Sequence, residues 1–434
     1  MSPLQVLEDP LLLLEIGSYL ESTVVMAAVC KGILATSSQF HVHRVNFRQK
    51  DFGWLSRRFK DVSQRVIGVC SKGTRYSGKL IDMLGRMRAV ELRHPPCDMT
   101  LLNLKNICKL QLSARVFLKV DTLDLPMVTH LTIEGFENRN VRNPKDFSFI
   151  KKMTCLQKLV INYPTFNDAS LVSGLKNLVH LDLLCTQVSD VQPLVGLEKL
   201  ETLNIAFTNV SDVSVLSQCK RLRTLLVEHC PRLHLPSLRT LKQITSLDAA
   251  QEVWDRPPSE GFECLQVLAN LTYLRLYNPL HPDISWLSSL RRLQSLSLGC
   301  VNVRDISPLG SLHLLTRMKL FHALTVDDWS PIGTLINLKH LSLVLANMDS
   351  FRHLQSLSAL LTLHYVAKTT GDPDPTFVSV DGIQNLVSLQ EFYIDGIVHT
   401  DIDKVDAFRN AGTHEVDVMS GWSISILGCR SQSH

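Results

Sequence analysis

The spacing L-x-x-L-x-L recurs along most of the chain, and that repetition constrains the fold more than any other feature. The template fits at Ile107/Leu110/Leu112, Val128/Leu131/Ile133, Leu156/Leu159/Ile161, Leu178/Leu181/Leu183 and Leu200/Leu203/Ile205. It continues at Leu222/Leu225/Val227, Ile244/Leu247/Ala249, Leu271/Leu274/Leu276, Leu293/Leu296/Leu298 and Leu315/Met318/Leu320. The last clear copies are Leu338/Leu341/Leu343, Leu360/Leu363/Tyr365 and Leu389/Phe392/Ile394. Every template position is apolar, in a chain that is 45% apolar overall. The start-to-start interval is 22 residues without a slip from Leu156 to Ile244, and 22 or 23 from Leu271 to Leu360. Weaker copies at Gln64/Ile67/Val69, Met87/Val90/Leu92 and Thr413/Val416/Val418 extend the array outward, as end copies facing water on one side would.

The alternating part of each template reads as a short strand with its apolar residues inward and the intervening ones toward solvent. One such unit cannot bury its own apolar face, so neighbours must stack in parallel and share a continuous core. A second apolar pattern follows each strand, as at Val188/Val191/Leu194/Leu197 and Val303/Ile306/Leu309/Leu312. It is introduced by Ser189-Asp190 or Asp305, with Pro193 or Pro308 just inside. An acidic side chain ahead of a proline-containing turn can accept from free backbone N–H groups, which predicts a short helical or 3₁₀ turn behind each strand.

At these residues the chain resembles leucine-rich-repeat proteins of the short-repeat, internalin-like and phosphatase-regulator-like type. The pattern Asn-x-Ile-x-Asp-Ile-x-Pro-Leu is matched by Thr186-x-Val188-x-Asp190-Val191-x-Pro193-Leu194 and by Val303-x-Asp305-Ile306-x-Pro308-Leu309. The resemblance implies an α/β solenoid over residues 85–420, with a curved parallel sheet on its concave side and 3₁₀ turns on its convex side. Thr186, Thr208 and Cys230 replace the asparagine of the pattern, which predicts a looser ladder. Three intervals are overlong, and their polar surplus (Asn138–Asp146, Asp255–Gly261, Thr369–Pro375) reads as loops leaving the array.

Composition bounds the rest. Charged residues are 20%, so the sequence can bury a large core, and the net charge of +4 is small for this size and by itself says nothing about nucleic acid. Aromatics are 6%, which predicts an aliphatic core. The eleven cysteines are odd in number and never closer than the eleven residues separating Cys97 from Cys108. That spacing offers no zinc site or disulfide framework and suits reduced thiols, so a cytoplasmic or nuclear setting is expected. No signal peptide or membrane-spanning stretch is evident.

Residues 1–40 break the repeat. Leu11–Leu14, Ile16, Tyr19 and Leu20 form one apolar face after Pro10, and Val24, Val25, Ala28 and Val29 form a second, predicting a small helical unit. The set Pro10, Leu13, Ile16, Leu20 and Val29-Cys30-Lys31 resembles an F-box, whose apolar–Cys–basic ending is its most telling part. The opening Leu-Pro pair is replaced by Leu7-Glu8-Asp9-Pro10, and the usual tryptophan by Ile33. The resemblance implies docking onto the linker subunit of a cullin–RING ubiquitin ligase through Pro10, Leu13, Ile16, Leu20, Val29 and Cys30, while the repeats hold the target. The alternative is a helical cap on a non-ligase scaffold, such as a phosphatase-regulating or assembly protein. Residues 41–84, with ten Lys or Arg between Arg44 and Lys79, read as a basic linker and cap. Residues 421–434 read as a C-terminal tail.

No catalytic pattern survives scrutiny. Gly73-x-x-x-x-Gly78-Lys79 lacks the following hydroxyl that a phosphate-binding loop needs, since residue 80 is leucine. His41-x-His43 is an isolated pair without further ligands. An enzyme, a cofactor and a metal are not expected. The outward strand positions are the better candidates. The earlier half offers Asp182, Asn204, Leu226 and Asp248, whereas the later half offers Tyr273, Arg275 and Tyr277, then Arg317, Lys319 and Phe321, with His340 and His364 beyond. Between these strands lie only Ser295, Ser297 and Gly299, which predicts a shallow trough. A protein partner presenting an acidic or phosphorylated segment to Arg275, Arg317 and Lys319 is expected there, with Tyr277 and Phe321 packing its apolar parts.

Overall fold

A computed structural model of the protein describes residues 43–46, 66–70, 84, 88–92, 106–113, 125–135, 147–250, 262–277, 282–300, 302–367, 379, 381–395, 414–419 and 423–428. The chain divides into two compact units, Met1–Thr165 and Phe166–His434. The F-box-like segment, the glycine motif at 73–79, His41 and the three polar insertions lie outside the described residues.

In the first unit, β1 (His43–Asn46), β2 (Val66–Cys70), β3 (Ala89–Leu92), β4 (Lys109–Ser113), β5 (His130–Glu134) and β6 (Lys158–Asn162) pair in sequence order, all parallel. The parallel rungs therefore begin inside the stretch read as a basic linker. Register follows the template, with Leu110 opposite Leu131 and Leu131 opposite Leu159. Gly135 follows β5 where the Tyr163 ring occupies the space a side chain would need, and that ring meets Phe147 edge-on at 5.6 Å.

The second unit repeats the arrangement with β7 (His180–Asp182), β8 (Thr202–Asn204), β9 (Thr224–Leu226), β10 (Ser246–Ala250), β11 (Tyr273–Tyr277) and β12 (Ser295–Gly299). It goes on through β13 (Arg317–Phe321), β14 (His340–Ala346), β15 (Thr362–Ala367) and β16 (Glu391–Asp395), again parallel and in order. Beyond β16 the pattern changes. β17 (His414–Met419) and β18 (Ser423–Gly428) form an antiparallel pair, and β18 also lies antiparallel to β16. The weak copy Thr413/Val416/Val418 thus falls on a strand that is not another parallel rung, and the stretch read as a tail contributes β18.

Every template residue from Ile107 to Ile394 is buried, most of them completely. Burying one leucine is worth about 2 kcal/mol, so repeating three apolar positions per rung supplies the driving force for stacking. The core is mainly aliphatic, but Phe351 packs edge-on against both Tyr365 (5.5 Å) and Phe392 (5.9 Å), and Phe262 stacks on Trp286 (6.3 Å). Buried Tyr365 stays useful because its hydroxyl donates to the Ala346 and Met348 carbonyls.

Behind the strands run 3₁₀ turns, among them Gln192–Gly196, Ser214–Gln218, Ser285–Ser289, Ser307–Ser311 and Ser330–Thr334. The expected aspartate device recurs: the Oδ1 atoms of Asp168, Asp190, Asp212, Asp283, Asp305 and Asp328 each accept from the backbone N–H two residues on, at 2.7–2.8 Å. Hydrogen bonds from the serine two residues on hold three of them below the usual carboxylate range: backbone and then hydroxyl for Asp212, hydroxyl and then backbone for Asp305 and Asp328. Thr186 and Thr208 donate to the Leu183 and Ile205 carbonyls at 2.7 and 2.6 Å, and Cys230 donates to Ile205 as well. Hydroxyl and thiol thus bond backbone within the core, where the related pattern has asparagine.

The described cysteines differ in burial. Cys219, Cys230 and Cys300 are buried, but Cys155 and Cys185 are exposed, and all are free thiols.

Candidate functional site

The outward face of β11 to β15 is positioned by the buried rungs beneath it. Strict register carries Tyr273, Ser295, Arg317 and His340 in one row, Arg275, Ser297, Lys319, Ser342 and His364 in a second, and Tyr277, Gly299, Phe321 and Val344 in a third. All the face residues picked out from sequence therefore share one surface. Arg317 and Lys319 stay exposed there, whereas Arg275, His340 and His364 bond to neighbouring side chains.

Arg275 is not a free cation. Its Nη1 lies 3.1 Å from Asp248 Oδ2 and 3.3 Å from Glu228 Oε2. Partial burial works against the Arg275 charge, but Asp248 and Glu228 outweigh it and hold its pKa above the usual guanidinium value. Asp248, expected to face solvent, is only 7% exposed. Its other oxygen accepts from the Ala250 N–H at 3.2 Å. Asp182 and Asn204 make the same bond to Leu184 and Ala206. Side-chain oxygens of Asp182, Asn204 and Asp248 therefore close the turns after their strands, and Arg275 pairs with Asp248 beside it. The shared template position of Asp248 and Arg275 was the signal that would have revealed the pair.

Ser295, Ser297 and Gly299 on β12 lie between the larger side chains of β11 and β13. Over Gly299 the Tyr277 and Phe321 rings approach to 5.4 Å between centroids, tilted by 41°. Lys319 Nζ lies 4.4 Å from the centre of the Phe321 ring, a cation–π contact. Arg317 and Lys319 are exposed on β13, and neither forms an ion pair among the described residues. Their neighbours in the register are Ser295 and His340, and Ser297 and Ser342. β13 is accordingly a cationic ridge rising above small side chains.

His340 and His364 are tied into the sheet. His340 Nδ1 shares a 3.0 Å hydrogen bond with Thr362, and His364 Nδ1 shares one of 3.1 Å with Ser342. Burial first, and then the Arg317 charge, lower the His340 pKa. The His364 ring also lies 4.6 Å from that of Tyr393.

A second row, exposed at Cys185 and Phe207 and half-buried at His229, escaped the sequence reading. Cys185, Phe207 and His229 follow successive strands in the left-handed region, with φ of 58°, 57° and 49°. Phe207 is 47% exposed and stacks on His229 at 4.5 Å. None of the three is glycine or asparagine, so no turn signal marked them. Among the described residues no three His, Cys, Asp or Glu come together as a metal site. The ligase-docking set Pro10, Leu13, Ile16, Leu20, Val29 and Cys30 lies outside the described residues.

No family model matches the chain, and no curated protein matches it. Among solved structures it is similar to an internalin (inlF) from Listeria monocytogenes, with 24% identity, a TM-score of 0.50, and coverage of 70% of this chain and 79% of that one. It is also similar to a leucine-rich-repeat protein of Leptospira interrogans, with 16% identity, a TM-score of 0.52, and coverage of 76% and 92%. A third likeness is to TLR13 in a complex with ssRNA13, with 17% identity, a TM-score of 0.51, and coverage of 81% and 57%. At these identities the likeness is one of fold, and the fold is the leucine-rich-repeat solenoid.

Proposed function

We propose that the chain is a binding scaffold whose outward sheet face at β11–β15 holds another protein, and that its N-terminal segment makes it a substrate-recognition adaptor of a cullin–RING ubiquitin ligase. The observation that supports the first part is the exposed Arg317–Lys319 ridge beside the Tyr277–Phe321 ring pair. Exposed cations beside half-buried aromatics at a surface add little to folding, and they are among the residue types that dominate binding hot spots. The second part rests on the Val29-Cys30-Lys31 triplet set behind Leu13, Ile16 and Leu20. Such an adaptor works in a reducing compartment, the cytoplasm or nucleus.

Affinity purification of three chains tests the adaptor reading: the intact protein, a copy lacking residues 1–40, and the triple variant Leu13→Ala, Ile16→Ala, Leu20→Ala. The intact chain should recover the ligase linker subunit and a target, whereas the other two should keep the target and lose the linker. Failure of the intact chain to recover any linker subunit would leave a non-ligase scaffold.

A further inference from the structure

Resting on the reading of this sheet face as the binding surface, we infer that β13 recognises an extended acidic segment of a protein, with carboxylates on alternate residues and an apolar side chain two residues further along. Arg317, Lys319 and Phe321 occupy alternate positions of one strand and face the same way. Alternate residues of a strand lie about 6.7 Å apart, and an extended peptide places its own alternate side chains at the same interval. An acidic–x–acidic–x–apolar segment lying along β13 therefore sets one carboxylate at each cation and its apolar group on the Phe321–Tyr277 pair.

Charge complementarity selects the occupant. Arg275 is already paired with Asp248 and Glu228, which leaves Arg317 and Lys319 as the cations on this part of the face without an ion pair among the described residues. Asp248 on β10 and Glu391 on β16 each lie three strands from β13, about 14 Å at the usual strand spacing. The cationic island is thus one strand wide, bounded on the β16 side by exposed Glu391 and on the β10 side by the Arg275–Asp248–Glu228 cluster, in which two carboxylates outweigh one guanidinium. A nucleic-acid backbone, charged at every step, would run into those carboxylates when crossing the face. A single phosphate is also a poor fit, because Lys319 leans along the strand toward Phe321 and so diverges from Arg317.

The test uses fluorescence anisotropy of the full chain with defined probes. A labelled peptide carrying Glu-Gly-Glu-Gly-Phe is compared with its lysine counterpart, with the contiguous version Glu-Glu-Gly-Gly-Phe, and with oligouridylate. The alternating acidic peptide should bind about tenfold or more tightly than the lysine peptide, and the double variant Arg317→Glu, Lys319→Glu should lose that advantage while melting as the parent does. Equal binding of acidic and lysine peptides, tighter binding of oligouridylate, or indifference to the double variant would overturn the inference. A parallel arm places a photo-crosslinking residue at Ser297 (Ser297→benzoyl-Phe) or at Ile336, which is 59% exposed away from this face. Crosslinking of a partner from Ser297 together with failure of the acidic peptide would overturn the acidic rule and leave the binding face standing. Crosslinking from Ile336 alone would remove both.

Discussion

Arg275 and Asp248, 27 residues apart, meet across β10 and β11 with 3.1 Å between Nη1 and Oδ2. The pair turns an apparent binding cation into a structural one. Asp248 is nearly buried, so removing Arg275 leaves it and Glu228 facing each other without a counter-ion. Arg275→Ala should lower stability by about 1 kcal/mol, a figure discounted for the solvent access of the arginine, and Arg275→Glu by more. Arg317→Glu, on the exposed ridge, should stay within about 0.5 kcal/mol of the parent. Urea midpoints for the three variants check this; equal losses at both sites would contradict the assignment.

The aspartates that open the 3₁₀ turns should make the fold acid-sensitive. Backbone and side-chain bonds from Ser214 hold the Asp212 pKa below its unfolded value of about 3.9. A depressed pKa means that the stabilisation is complete above the unfolded value and is lost as pH falls through the folded one. Asp305 and Asp328 act in the same direction. Asp212→Ala should cost about 1 kcal/mol at neutral pH, while Asp212→Asn keeps an acceptor and should weaken the acid dependence. Melting temperatures followed from neutral pH to below 3.9 test the sign.

Removing residues 178–199 excises one complete 22-residue period and preserves stacking, since Leu181 and Leu203 hold equal positions in adjacent rungs. That deletion should leave a folded protein. Leu181→Asp places an unpaired carboxylate where the side chain is 1% exposed, at a cost of several kcal/mol, about 3 or more. Circular dichroism melts should show a transition for the deletion and its loss for the Asp variant.

Thiol reactivity should sort by burial. Complete burial pushes Cys300 up to about 12, and burial also raises Cys219 and Cys230. Iodoacetamide at about pH 8 attacks thiolates, so Cys155 should be alkylated in the native protein while these three stay unmodified until denaturation. Cys185 is exposed, but burial and then Asp182 raise its pKa, so it should react more slowly than Cys155. Peptide mass mapping before and after denaturation reads the order.

The rungs were legible because their residues obey one local rule: a leucine at Leu203 and one at Leu225 carry the same information 22 residues apart. The 3₁₀ turns were legible for a similar reason, since Asp190 and Asp305 sit beside the N–H groups they cap. The face was harder. Arg317 and Arg275 look alike on their own strands, and the difference lies in the same template position one repeat earlier, which holds Asp248 beside Arg275 but Ser295 beside Arg317. The left-handed turns at Cys185, Phe207 and His229 were hidden because tertiary packing holds them there against residue preference. β18 was missed because it pairs antiparallel at the end of the array, where no neighbouring copy predicts it.

Amide hydrogen exchange of the full chain, with and without the protein it captures, tests the central claim most directly. The account predicts that added protection falls on β11 to β15, strongest at Arg317–Phe321, with little change in the 3₁₀ turns Ser307–Ser311 and Ser330–Thr334. Protection confined to those turns, with the β13 amides unchanged, would contradict it.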